Sequence, residues 1–239
     1  MSDRHDLIVT TAVRGDLARA RALARTIDSA RYRDIAHADI ARIADAGGSL
    51  DHADAALSHI ADPHVRSLVQ NELLGNAVNR HDFERAERIA RAAPEPHVRT
   101  GLLLTVIRGL VAADRADRAL ELAHEVREAV HDQHDPLDRD WASLDAVVAA
   151  VAAGDLPGAR RTTASIGNPV VRVGALAEIA KAAVDDPPLA ARLLKQATAL
   201  ARSLPNAADR ASALLSVLRA HPAPPLPDVA RPPKALTGS

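Results

Sequence analysis

The sequence predicts an all-α fold, an α-solenoid of about six helical hairpins followed by a proline-rich tail. Three observations carry this. Arg33, Arg66 and Arg99 stand 33 residues apart, and Arg139, Arg172 and Arg210 extend the row at intervals of 40, 33 and 38. A fixed period of this size marks stacked supersecondary units. Apolar residues follow these arginines at +3, +7, +8 and +11, as in Val69, Leu73, Leu74 and Ala77, the stripe of one helix face. Tyr32, Phe83 and Trp141 are the only aromatics, so the core must be Ala, Leu, Val and Ile, which suits close-packed helices better than strands.

The elements follow in order. Residues 4–14 read as a short helix whose Leu7, Ile8 and Thr11 match Ile40, Ala41 and Ala44 one period later, so the chain is expected to begin inside a repeat. Gly15-Asp16-Leu17 is echoed by Gly48-Ser49-Leu50, His81-Asp82-Phe83 and Gly154-Asp155-Leu156. Gly suits a helix end and Asp or Ser caps the next helix. Ala20, Ala53, Ala86, Ala119 and Ala159 come three residues after each such site's apolar position, where a small residue lets a neighbouring helix approach. Asp62-Pro63-His64-Val65-Arg66 returns as Glu95-Pro96-His97-Val98-Arg99, and as Asn168-Pro169-Val170-Val171-Arg172. Pro after an acidic or Asn cap starts a helix.

The expected helices are 4–14, 16–29, 31–46, 49–61, 63–79, 82–93, 96–113, 115–133, 136–153, 155–166, 169–184, 188–203 and 206–220. The longer intervals place extra residues near Val130–Asp135 and within 188–203. Residues 1–221 are read as one repeat domain. Residues 222–239 hold six prolines, which exclude a helix and lead us to expect a disordered or extended tail.

Composition narrows the function classes. The net charge of −1 argues against nucleic acid or an anionic membrane as partner. No Cys is present, so disulfides, thiolate nucleophiles and zinc knuckles are excluded. The polar N-terminus lacks a signal peptide's apolar stretch, and the longest apolar run, Ala146 to Ala153, is too short for a span. A soluble, cytoplasmic protein is expected.

The chain resembles a tetratricopeptide-repeat (TPR) array. Gly-Asp-Leu-x-x-Ala is similar to the start of that motif's second helix, with Ala20, Ala53, Ala86, Ala119 and Ala159 at its small packing position. Ile40, Leu73, Val106 and Ile179 fall at the apolar Leu position of its first helix. The period is 33 instead of 34, the family's aromatics are missing, and Leu74, Ile107 and Val147 replace its small first-helix residue. Asp-Pro-x-Val-Arg is also similar to short HEAT-like repeats. TPR-like is preferred because the two helices of each pair read as similar in length. Either resemblance implies a right-handed stack with a concave face.

Three sets of residues are candidates for function. The arginine row Arg33, Arg66, Arg99, Arg139, Arg172 and Arg210 is read as structural, tying helix starts to nearby acids or loop carbonyls; a phosphate-binding or nucleic-acid role is the alternative. His124, His131 and His134 beside Asp135 lack the further cluster a metal site needs, so no metal or other cofactor is assigned. No catalytic motif is present, so the protein is read as non-enzymatic, with an enzyme or metal-binding protein on a helical array as the alternative. The resemblance makes first-helix positions +2, +5, +9 and +12 from Arg the groove lining. Asn71, Leu104, Arg108, Trp141, Leu144, Val148 and Lys181 then form the candidate groove for a protein or peptide partner. A self-associating apolar middle is the other partner class, and so is burial of this face within the repeat stack.

Overall fold

The computed structural model describes residues 2–132 and 134–221, and the expected proline-rich tail lies outside them. Among the described residues there are thirteen α-helices and no strand. The chain divides into two compact units, residues 1–168 and residues from Pro169 onward. The first unit holds α1 (Ser2–Val13), α2 (Leu17–Arg25), α3 (Ala30–Ala46), α4 (Leu50–Leu57), α5 (Pro63–Asn79), α6 (Phe83–Arg91), α7 (Pro96–Ala112), α8 (Ala116–Glu128), α9 (Pro136–Ala152) and α10 (Leu156–Ser165). The second holds α11 (Pro169–Ala182), α12 (Pro187–Ser203) and α13 (Ala207–Ala220).

In the first unit each tight turn within a hairpin is built the same way. The last residue before the second helix's cap is left-handed: Gly15, Gly48, His81, Asp114 and Gly154, with φ of 89°, 75°, 60°, 57° and 82°. The next N–H then donates five residues back, from Asp16 to Thr11 O, Ser49 to Ala44 O, Asp82 to Ala77 O, Arg115 to Leu110 O and Asp155 to Ala150 O, at 2.8–3.1 Å. This is the Schellman closure of a helix C-terminus. Asp16, Asp82 and Asp155 then cap the second helix through Arg19, Arg85 and Gly158 N–H.

First helices α3, α5, α7 and α9 are each 17 residues long, whereas α2, α4, α6 and α10 have only 8 to 10. The expectation that the two helices of each pair are similar in length is therefore corrected for these pairs, as are the expected ends at 29, 61 and 133. α2 stops at Arg25, α4 at Leu57 and α8 at Glu128, the last followed by a 3₁₀ turn over Ala129–Asp132. The arginine row supplies one reason. Arg33 donates to Ile27 O, Arg66 to Ile60 O, Arg99 to Ala93 O and Arg210 to Leu204 O, each six residues back. A guanidinium holding that carbonyl satisfies the chain where it leaves the second helix. Arg139 Nη2 reaches the His134 carbonyl at 3.5 Å.

In the first unit α1, α3, α5, α7 and α9 pack side by side, and the second helices pack against them. Ala20, Ala53, Ala86, Ala119 and Ala159 are all fully buried at these crossings, as are Ile40, Leu73 and Val106. Gly109 of α7 lies so close to Val78 that a Cβ there would collide with its side chain, and it would press tightly on Phe83. In the second unit α11 packs on both α12 and α13.

Polar stitches join successive hairpins. Asp34, buried on α3, accepts from Ala61 and Asp62 N–H at 2.9 and 2.8 Å. Asp140 on α9 repeats this with Gly167 and Asn168 N–H at 2.8 and 2.6 Å. Second helices are joined by ion pairs that keep the 33-residue period. Arg85 of α6 meets Asp54 of α4 at 2.9 Å, and Arg118 of α8 meets Glu87 of α6 in the equivalent place. Arg91 of α6 forks onto Glu125 of α8 at 3.0 and 2.7 Å.

Candidate functional site

α9 starts where its sequence says it should. Asp135 accepts from Leu137 and Asp138 N–H, and Pro136 occupies the first turn. Residues spaced i, i+3 and i+7 share a helix face, so Asp138, Trp141 and Asp145 align along one side of α9. Together with His97, Thr100 and Leu103 of α7 and the end of α8, they line a cavity of about 460 Å³.

Trp141 is 51% exposed at this cavity. A tryptophan left half in water on a helix next to buried neighbours presents a flat apolar and π surface to a ligand. Asp145, one turn further, is half-buried. Burial pushes its carboxyl above the ordinary range, and His97 opposes that shift. Neither Asp138 nor Asp145 forms an ion pair through its carboxylate among the described residues. The two other charged groups at the cavity already have partners: Arg99 holds Ala93 O and Pro94 O, and Glu125 holds Arg91. The site therefore offers an aromatic face and two unpaired carboxylates, the complement of an ammonium or guanidinium group.

The other groove positions are dispersed. Leu104, Leu144 and Val148 are half-buried, and Arg108 is exposed. Asn71 is exposed and donates to Ser67 O at 2.9 Å. Lys181 belongs to the second unit, where its ammonium meets Glu178 at 2.9 Å. The arginines of the repeat row are engaged at helix starts, as described above, and Arg172 has partners of its own.

The sequence reading missed Asp138, Asp145 and His97 as companions of Trp141. Counting +2, +5, +9 and +12 from Arg139 follows a different rotation of α9. Counting −3 and +4 from Trp141 itself finds both acids. Of the histidine candidates, His124 approaches Asp155 at 3.8 Å, His134 is exposed, and the side chain of His131 lies outside the described residues.

One polar group stands apart. His37 on α3 is fully buried, and neither ring nitrogen has a hydrogen-bond partner among the described residues. Its ring lies tilted against that of His59, with centroids 5.1 Å apart. Burial pushes its pKa down to about 4; His59, Arg25 and Arg33 add to the shift and Asp34 opposes it.

Comparison with known proteins finds no matching family model, curated protein or solved structure.

Proposed function

We propose that this chain is a TPR-like, non-enzymatic scaffold that binds a protein or peptide segment across α7 and α9. A Lys or Arg side chain of that segment sits between Trp141 and the carboxylates of Asp138 and Asp145. The observation that carries the reading is the half-exposed Trp141 beside an unpaired, half-buried Asp145 at one cavity. Cation–π contact with Trp and a carboxylate in a partly dry site favour a cation together. The 33-residue period and the two-helix repeat support the TPR-like part of the reading, although the second helices are shorter than the first. The compartment proposed is the cytoplasm; among the described residues no helix is long and apolar enough to cross a membrane.

Nucleic-acid binding through the arginine row is less well supported. Arg33, Arg66, Arg99 and Arg210 donate to carbonyls at helix starts, leaving fewer N–H groups for phosphates.

Selection from a displayed library of unstructured peptides tests the proposal. Binders are expected to carry at least one Lys or Arg, and to lose affinity by roughly tenfold or more with Trp141→Ala or Asp145→Asn. Enrichment of acidic peptides, or binding that survives both substitutions, contradicts it.

A further inference from the structure

The second unit carries a separate, larger groove of about 1130 Å³. Its long wall is one face of α12, running from Pro187 to Arg202 through Ala191, Leu194 and Lys195. The last turns of α11 and α13 close its sides. The floor is apolar, and the rim bears Lys181, Lys195, Arg202 and Arg219. Lys181 has Glu178 as its partner, while Lys195, Arg202 and Arg219 form no ion pair among the described residues. The acids nearby, Asp185 and Asp186, stand at the start of α12, where Asp186 caps Leu189 N–H.

The repeat register says what such a face does elsewhere. Asp82 caps α6 through the N–H three residues on, and Asp186 caps α12 in the same way. Aligning the two caps places Ala190 at the position of Ala86, Ala191 at that of Glu87 and Lys195 at that of Arg91. On α6, Glu87 and Arg91 are the residues that hold the next second helix, through Arg118 and Glu125 of α8. Asp54 of α4 holds Arg85 of α6 in the same manner. On α12 the acid of this pair is replaced by Ala191 and the cation is kept as Lys195, both exposed, and α13 is not followed by a second helix among the described residues.

We infer that the α12 groove seats an amphipathic helix from a partner protein, its apolar stripe on Ala191 and Leu194 and its acidic flanks on Lys195, Arg202 and Arg219. The face is set for a helix by register and for acidic flanks by charge. From Pro187 to Arg202 it runs about 23 Å, enough for a helix of about 15 residues. Helix-in-groove docking uses an i, i+3, i+4, i+7 stripe of this kind. The unpaired cations of the rim discriminate between flanks more than they add affinity. This site shares no residue with the Trp141 cavity, so either can fail without the other.

The test uses the full chain and a phage-displayed library of helical peptides about 15 residues long. Each peptide has a fixed Leu/Ala stripe and flanks drawn from Glu, Lys and Ser. The flanks are expected to converge on Glu. Selected peptides should bind Ala191→Asp at least tenfold more weakly. The double variant Lys195→Glu/Arg202→Glu should reverse the preference toward Lys flanks. Both of its substituted residues are exposed, and its far-UV circular dichroism is expected to match the wild type. Flanks that stay random or converge on Lys overturn the inference, as does recovery of no binder. So does a dimer in sedimentation that Ala191→Asp abolishes, because the occupant is then a second copy of this chain.

Discussion

Arg85 and Asp45, 40 residues apart in sequence, meet at 2.7 Å with side-chain exposures of 2% and 0%. Arg85 also holds Asp54, and Asp45 also accepts from Arg80 and Asn76. Burial alone raises the Asp45 carboxyl, but hydrogen bonds from Arg80, Arg85 and Asn76 outweigh it and hold the group below its usual range. The network links α3, α4, α5 and α6. Removing Arg85 takes away the only fully buried cation on Asp45, which keeps Arg80 and Asn76 alone in a site closed to water.

Arg85→Met is therefore expected to cost about 3–5 kcal/mol. Arg118→Met, whose side chain is 43% exposed, should cost about 1 kcal/mol or less. Urea denaturation of the two variants measures the difference. Equal losses contradict the role given to burial.

Acid should destabilise the protein before its carboxylates titrate. The folded His37 is protonated only near pH 4, whereas an unfolded histidine takes its proton near 6.5. Between those values the unfolded chain binds more protons, so stability falls as pH falls. From pH 7 to 4.5 the loss is roughly 2–3 kcal/mol. Asp45 and Glu87, both held below their usual ranges, stabilise the fold at higher pH. Their contribution is lost on further acidification, through and below the ordinary carboxylate range. His37→Leu should flatten the upper slope alone, read from denaturation midpoints at a series of pH values. An unchanged slope removes His37 as its source.

Asp114 adopts a left-handed conformation that Gly occupies at the equivalent turns. Asp114→Gly should leave stability unchanged or raise it by up to about 1 kcal/mol, since relief of backbone strain opposes the added entropy of the unfolded chain. Gly48→Ala should lower stability by about 1 kcal/mol. Thermal melts of both variants check the pair. A loss from Asp114→Gly equal to that from Gly48→Ala contradicts the shared turn geometry.

Helix crossings should resist added volume. Ala86→Phe is expected to destabilise by about 1–3 kcal/mol, and Gly109→Ala by a similar amount because its Cβ meets Val78 and Phe83. Chemical denaturation of either variant measures this. A neutral Ala86→Phe contradicts the register of the whole array.

Much of this fold was legible because period, caps and stripes agree locally. Asp62-Pro63, Asp135-Pro136 and the alanines at the crossings mark helix starts and contacts without tertiary information. The early ends of α2 and α4 were not legible, because they coincide with a guanidinium reaching six residues back across a turn. The ion pairs Arg85–Asp54 and Arg118–Glu87 were present as a 33-residue repetition. They were not legible as contacts, because each joins residues 31 apart whose meeting depends on how neighbouring second helices pack. At the candidate site, Trp141 stood out as the only tryptophan. Asp145 did not, since its missing partner is a property of the packing of α7, α8 and α9.

Fluorescence of Trp141 tests the central claim most directly, because no other residue contributes its emission. The free protein should show a red-shifted emission readily quenched by acrylamide. Saturating Lys- or Arg-containing peptide from the selection should shift that emission and protect it from quenching, and Asp145→Asn should abolish the effect. An emission already blue-shifted and shielded in the free protein, or one indifferent to bound peptide, contradicts the assignment of this face as the binding site.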